Sequence, residues 1–498
     1  MQDEMATAPL STGAFIKKIL LLVALSSGIA SCGRFIGLSG EQQLTTGVFL
    51  SAVIGTLFFW NLRLSIAFLG VSALIMTRAM TIPQYVGSIE MPIILFLIGM
   101  MIILGCLEDL GFFTWIVQSI ISLPRMSARR FIAIVCVAAM LLACAIDEVT
   151  SIIIIATLMF QVCGRLKTNP TPFIMIAVIA TNIGSAGTMM GNPVGILIGA
   201  KAGFTFGDFI RWSFPVVLIC TAANIALLFF LFRKELRLFD ERLLEHAAAG
   251  GGIEPGVRIP YKRSLFILGL VLLCIALHHQ AEQLLGIEKN SVLFLAPIFC
   301  AAGVMLYRRD RARHYVEHSV DLWTLLFFMM FFAIAGALKH SGVTEVLAHK
   351  FTGAVSGNTG MLVAVVIGVS AIGSAFVDNV VFVAAFAPIV EGLRATGAVV
   401  TPLWWALLFG ACFGGNITII GSTANIVALG MLEKQAHAHI RFKDWLKIGL
   451  ASAALTCGIA TVWVQLTMPH MKEASPHEPE IKMGGAVETT APIIPDSP

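Results

Sequence analysis

Apolar positions along this chain fall into long uniform runs instead of the alternating faces of a soluble fold. They lie near 19 to 36, 45 to 60, 64 to 77, 92 to 110, 131 to 164, 172 to 200, 213 to 232, 264 to 279, 291 to 307, 322 to 338, 361 to 394, 402 to 431 and 446 to 467. A helix crossing a bilayer needs about 20 consecutive apolar residues, so most of these runs predict one span each. Two do not fit. The runs 131 to 164 and 361 to 394 are long enough for two passes but carry a polar cluster at the middle, Ala145-Ile-Asp-Glu-Val-Thr-Ser151 and Ala375-Phe-Val-Asp-Asn-Val380.

Composition agrees with a membrane class. Of 498 residues 57% are hydrophobic and 12% charged, with a mean hydropathy of +0.88, which leaves too little polar surface to coat a soluble globule. The net charge of +4 sits in the loops; it reports orientation and gives no support for nucleic-acid binding. The ten cysteines are scattered singly with no Cys-x-x-Cys and read as small buried hydrophobes. The first run follows Lys17-Lys18 and contains Ile29-Ala30-Ser31-Cys32, which resembles a lipoprotein cleavage site. Arg34 and further apolar residues follow at once, so an uncleaved first span is expected.

Basic residues set the path of the two unusual segments, because short cytoplasmic loops collect positive charge. With the N-terminus cytoplasmic, simple spans put Arg63 inside, Arg78 outside and Arg125, Arg129 and Arg130 inside. Arg165 and Lys167 also belong inside, which requires 131 to 164 to enter and return on one side as a hairpin with its tip around Asp147. The basic stretches 233 to 242, 258 to 263 and 308 to 313 then fall inside as well, the second hairpin enters from outside, and the C-terminus is external. The expected location is the cell's inner membrane.

An internal repeat supports two halves. Gly105 and Gly111 align with Gly336 and Gly342 at an offset of 231, and the same offset places Asp147 on Asp378. Nearly the same offset places Gly184, Thr188 and Gly191 on Gly414, Thr418 and Gly421. Under the charge-derived topology matched spans run in opposite directions. The predicted fold is therefore an all-α polytopic membrane protein of two inverted-topology repeats, each with a re-entrant helical hairpin and a broken transmembrane helix. Its expected parts are an N-terminal segment with the first span (1–44), repeat 1 (45–232, hairpin 131–164, broken helix 172–200), a cytoplasmic linker (233–263), repeat 2 (264–467, hairpin 361–394, broken helix 402–431) and a disordered tail (468–498).

Ionisable groups at mid-membrane cost about 2.5–3.5 kcal/mol on insertion scales, so Asp147, Glu148 and Asp378 at hairpin tips call for an ion-bearing or solvated cavity. Thr150, Ser151 and Asn379 add neutral oxygens suited to a hard cation such as Na+. After each hairpin comes a glycine-interrupted helix. Gly184, Gly187 and Gly191 break the first, and Gly414, Gly415 and Gly421 the second; Asn182, Thr188, Asn192, Asn416, Thr418, Ser422 and Asn425 lie beside them. Unwound backbone is tolerated in a membrane where it lines a cavity or packs on protein. His278-His279, at a span end, reads as a solvated loop pair, and no His-Glu-x-x-His or other transition-metal site is expected.

The segments Ser374-Ala-Phe-Val-Asp-Asn-Val380 and Gly414-Gly-Asn-Ile-Thr-Ile-Ile-Gly-Ser-Thr-Ala-Asn425 resemble the ion transporter superfamily. The nearest branch is that of arsenite pumps, pink-eyed-dilution proteins and NhaD-like sodium/proton antiporters, over roughly 45 to 467. The resemblance implies a homodimer. It does not fix a substrate. The tips Asp147-Glu148-Val149-Thr150 and Asp378-Asn379-Val380-Val381 differ from the Ser-Asn-Thr tips of the superfamily's dicarboxylate/sodium symporters, and the four site motifs contain no Lys or Arg, which argues against a dicarboxylate. Glu148 also replaces the branch's usual Asn.

The expected function is secondary active cation/proton antiport by alternating access. Asp147 and Asp378, with Glu148, would exchange protons for Na+ coordinated by them and by Asn379, Asn416 and Asn425; no tightly bound cofactor is implied. Arsenite or antimonite efflux through the same acids is the alternative. Dicarboxylate symport, a channel and an intramembrane enzyme are weaker readings.

Overall fold

The computed structural model describes residues 12–122, 127–248, 261–354 and 358–471, and every element among them is helical. Expectations resting on Arg125, on the middle of the linker and on the tail beyond 471 fall outside those residues. Among the described residues, eight helices are long and apolar enough to cross a membrane, and a ninth span is formed if Lys262–Ala276 and His278–Leu285, bent 56° at their junction, are taken together. Shorter apolar helices, among them Trp60–Met76, Thr171–Ser185, Ser291–Tyr307 and Thr401–Gly414, account for much of the remaining hydrophobic pattern.

Both unusual runs are hairpins. Ala128–Ala145 and Glu148–Leu166 form the first, and Thr359–Phe376 and Asn379–Ala395 the second. Each broken helix is two half-helices joined by extended or turn backbone: Thr171–Ser185 with Pro193–Ala202, and Thr401–Gly414 with Thr423–Ala436. Proline at the first turn and a polar cap start each second half cleanly only in the first repeat; in the second, Ser422 alone provides the cap.

The inversion of the repeats can be read from two glycines. Gly105, near the end of Met91–Asp109, packs on Ser319, just before Leu322–His340; a Cβ added there would lie 2.6 Å from Ser319 Cβ. Its counterpart Gly336, near the end of Leu322–His340, packs in the same way on Ser88, just before Met91–Asp109, again at 2.6 Å. The end of each helix therefore meets the beginning of its repeat partner. Equivalent helices run antiparallel, as an inverted repeat demands.

The same exchange organises the transport elements. Pro193–Ala202 packs on the second hairpin's arm Asn379–Ala395, and Thr423–Ala436 on the first hairpin's arm Glu148–Leu166. Within each repeat the broken helix is pressed onto its hairpin where only glycine fits. A Cβ on Gly184 would lie 2.6 Å from Met140 Cα, and one on Gly414 would lie 2.8 Å from the Ala371 carbonyl carbon. Thr188 Oγ1 donates to the Cys144 carbonyl, and Thr418 Oγ1 to the Ala375 carbonyl, so each turn is tied to its hairpin by an equivalent bond.

Three expectations change. The linker is not simply a connector: Arg233–Ala248 is a helix whose Phe239 stacks on Phe131 (5.5 Å) and meets Phe173 at a tilt (5.1 Å), while Asp240 Oδ1 accepts from Ala128 N at 2.6 Å. It packs on both arms of the first hairpin, which places the two open ends on one side. Arg63 is not a loop charge; it is 7% exposed, with its guanidinium over Trp60 (4.2 Å) and Phe327 (4.9 Å). His278 is not solvated: it is 1% exposed. Seven of the ten cysteines are buried, and all ten are free thiols.

Candidate transport site

Four helix N-termini converge at the centre of the molecule, and each is capped by a polar side chain from one of the four motifs. Asp147 caps Glu148–Leu166, its Oδ1 accepting from Val149 N and Thr150 N, both at 2.8 Å. Asp378 caps Asn379–Ala395 through Val380 N at 3.1 Å. Asn192 Oδ1 accepts from Gly195 N at 2.9 Å, and Ser422 Oγ from Ala424 N at 3.2 Å. Short polar residues do this because they satisfy amides that the first helical turn leaves without partners. A helix N-terminus carries roughly half a positive charge, so four of them stabilise carboxylates at a depth where lone ones would be very costly.

The acid at the middle is Glu148, 3% exposed. Asn379 Nδ2 donates to both its oxygens at 3.3 Å, Asn192 Nδ2 to Oε2 at 3.4 Å, and Ser422 Oγ to Oε1 at 3.4 Å. The donors come from both repeats. Asp378, 7% exposed, lies within electrostatic range of Glu148, and its Oδ2 accepts from Thr423 Oγ1 at 2.6 Å. No basic side chain donates to either carboxylate among the described residues.

A carboxamide cluster adjoins this centre. Asn182 Nδ2 donates to Asn416 Oδ1 (2.9 Å) and Asn425 Oδ1 (2.8 Å), and Asn182 Oδ1 accepts from Ser422 Oγ at 3.1 Å. Asn425 Nδ2 closes the second break by donating to the carbonyls of Gly415 and Thr418, both at 2.8 Å. Asn416 Nδ2 is buried without a partner. The unwinding at Gly187, Gly191, Gly415 and Gly421 brings these amides to one point, since Gly191 and Gly421 run so close to neighbouring backbone that no side chain would fit.

The structure thus gathers Glu148, Asn182, Asn192, Asp378, Asn379, Asn416, Ser422 and Asn425. It assigns other expected residues to the frame: Thr188 and Thr418 tie breaks to hairpins, and Ser151 Oγ donates to Ala139 O at 2.9 Å. Asp147 and Thr150 act on the first hairpin's own cap, and Glu148 is the acid within electrostatic range of Asp378. Ser185 and Cys412, which both receive Asn192 Nδ2 (3.1 and 3.2 Å), and Thr423 were not anticipated, although all three stand within or beside the glycine motifs. Arg63 was also missed. It comes from outside those motifs, bonds Thr324 Oγ1 at 3.0 Å and lies within electrostatic range of Asp378.

Residues 53–410 match the model of the citrate transporter family, CitMHS. The chain belongs to that family. An uncharacterized transporter of Mycobacterium tuberculosis is 34% identical over 383 residues, covering 76% of this chain and 86% of the relative. The human P protein is 25% identical over 86% of this chain and 60% of its own length. Among solved structures, the Alcanivorax borkumensis YdaH transporter, described as having an unusual topology, aligns with a TM-score of 0.54 over 79% of this chain and 88% of its own, at 17% identity. The fold is shared with that transporter. The protein is a multi-pass membrane permease.

Proposed function

We propose that this CitMHS-family permease exchanges a monovalent cation, Na+ first, for protons by alternating access at Glu148 and Asp378. The observation that carries the reading is Glu148: a buried carboxylate held by amide and hydroxyl donors from both repeats, within electrostatic range of a second carboxylate, Asp378, with no basic group bonded to either among the described residues. Two acids within electrostatic range of each other repel unless a proton or a metal cation neutralises one of them, so proton and cation compete. The surrounding carboxamide and hydroxyl oxygens are hard donors of the kind alkali cations take. In the inverted frame the occupied site faces each side in turn, as the sites of inverted-repeat transporters do.

Citrate transport is the second reading, supported by the family description and by two features of the site. Four helix N-termini and the unpartnered Asn416 Nδ2 could receive substrate oxygens if the acids were protonated. Arsenite efflux uses the same acids for coupling.

The test is reconstitution in liposomes with an internal pH dye, adding Na+, Li+, K+, citrate and arsenite in turn to wild type, Glu148→Gln and Asp378→Asn. Alkalinisation or acidification driven by Na+ or Li+ and lost in both variants is expected. Silence to cations with a response to citrate or arsenite would replace the reading.

A further inference from the structure

At the 231-residue offset, helix His278–Leu285 falls on positions 47–54, inside the continuous helix Gly40–Phe58. Gly40–Phe58 passes into Arg63–Met76 through the short turn Trp60–Leu62, whereas the second repeat bends by 56° between Lys262–Ala276 and His278–Leu285 before Ser291–Tyr307 begins. The polarity of His278–Leu285 is the reverse of a helix lying on a water-exposed surface. Leu284 and Leu285 are 87% and 66% exposed, while His278 and Glu282 are 1% and 3% exposed. Asn290, immediately before Ser291–Tyr307, is 1% exposed. Burying ionisable and amide groups is costly unless their hydrogen-bonding capacity is met.

Here it is met only in part. His278 Nδ1 bonds the Ile275 carbonyl at 2.7 Å, and Glu282 Oε1 accepts from Val292 N at 3.0 Å. His278 Nε2, Glu282 Oε2 and both amide atoms of Asn290 remain buried without a partner, as does Nδ1 of the neighbouring His279. His278 and Glu282 are four residues apart and share a helix face. The bond to Val292 brings Glu282 to the first turn of Ser291–Tyr307, beside Asn290.

This is the arrangement of a metal ligand set. A histidine whose Nδ1–H is held by a backbone carbonyl presents Nε2 as a bare lone pair, the orientation metal-binding histidines use. A carboxylate oxygen and an amide oxygen complete a mixed nitrogen and oxygen set, suited to a zinc-like divalent ion with water in a remaining position. We infer that His278 Nε2, Glu282 Oε2 and Asn290 Oδ1 bind one divalent transition cation, separate from the transport site, which fastens the bent helix His278–Leu285 to Ser291–Tyr307. That helix is closely seated on Met91–Asp109, where a Cβ on Gly99 would lie 2.9 Å from Pro297 Cβ, so the ion would stiffen the frame on which the hairpins move.

The test uses the full-length protein purified in detergent, stripped with a chelator, and titrated with Zn2+ or Co2+. Thermal unfolding is followed for both, and visible Co2+ absorption for the second. One equivalent per chain, a rise of several degrees in unfolding temperature, and a Co2+ band from an imidazole and oxygen set are expected in wild type. His278→Gln and Glu282→Gln should each abolish the rise and the band, and His279→Gln should keep both. A wild type without a metal-dependent rise or band overturns the inference, as does a response of undiminished size in His278→Gln or Glu282→Gln. Because both readouts are of binding, they stand apart from any result on transport.

Discussion

Asn379 donates through one amide nitrogen to both carboxylate oxygens of Glu148 at 3.3 Å, and the two residues are repeat counterparts, 231 positions apart. Counterparts that touch must lie close to the axis relating the repeats. Two acids at this position would repel and two amides would carry no charge; an acid facing an amide leaves one carboxylate at the junction, held by a donor from the other half. The buried carboxylate at this junction is thus held by groups from both repeats.

Replacing that carboxylate by its amide should separate transport from folding. Glu148→Gln keeps the size and half of the acceptor capacity, so the unfolding temperature in detergent should stay the same or rise, as is common when a buried charge is neutralised. Exchange in proteoliposomes should fall by about 100-fold or more, the scale expected for an essential proton-transfer group. Cation-driven proton flux retained within threefold of wild type would remove Glu148 from the mechanism.

Arg63 provides a second electrostatic test. Its guanidinium lies between Trp60 and Phe327 within range of Asp378, so it competes with any cation drawn to that carboxylate. Arg63→Gln should lower the KM for the transported cation by about tenfold, equivalent to about 1.4 kcal/mol. Arg63→Lys, which keeps the charge but loses the flat stacking surface, should leave KM near wild type while lowering thermal stability. A KM that rises in Arg63→Gln would indicate that the guanidinium helps to bind substrate, as an anionic substrate would require.

Much of this architecture was legible in one dimension because hairpins and broken helices are punctuated by chemistry. Asp147 and Asp378 stop one helix and cap the next, and Gly184 and Gly414 mark contacts where a Cβ would strike backbone. The 231-residue offset made the repeat visible. What it did not show is which matched residues meet. Sequence favours the identical pair, Asp147 and Asp378, while the fold brings together the unlike pair next to them, Glu148 and Asn379. Arg63 looked like a loop charge because it lies between two apolar runs, and His278 because it follows one. Arg63 is buried against Phe327, far along the chain, and His278 is buried at the 56° bend that starts its helix, neither of which local pattern encodes.

The close approach of each broken helix to its hairpin predicts a contrast among glycines. Gly184→Ala and Gly414→Ala would drive a methyl group into the backbone at Met140 and Ala371, which cannot move as a flexible side chain would. Each should destabilise by about 1–3 kcal/mol through overpacking, seen as lower unfolding temperature and reduced yield. Gly164→Ala, in the last turn of Glu148–Leu166 with nothing within 4 Å of the added methyl, should instead be neutral or stabilise by up to about 1 kcal/mol. Equal effects at the three positions would show that the packing is looser than the glycine contacts imply.

Two ion pairs join the transport elements to the long helices beside them. Lys201, at the end of Pro193–Ala202, pairs with Glu90, just before Met91–Asp109, and Lys339, near the end of Leu322–His340, pairs at 2.8 Å with Glu391 on the second hairpin. Partly exposed pairs of this kind contribute about 1 kcal/mol or less to stability, so their removal should change unfolding little. Their position matters more, because a hairpin or half-helix that moves relative to Met91–Asp109 and Leu322–His340 must break them. Glu391→Gln should therefore raise the maximal exchange rate if opening on this face limits the cycle, or lower it if the closed face must be held, with KM little changed. In either case Lys339→Glu combined with Glu391→Lys should return the rate toward wild type, and raising ionic strength should bring wild type closer to Glu391→Gln. Single and swapped variants indistinguishable from wild type at low salt would mean that these pairs take no part in the movement.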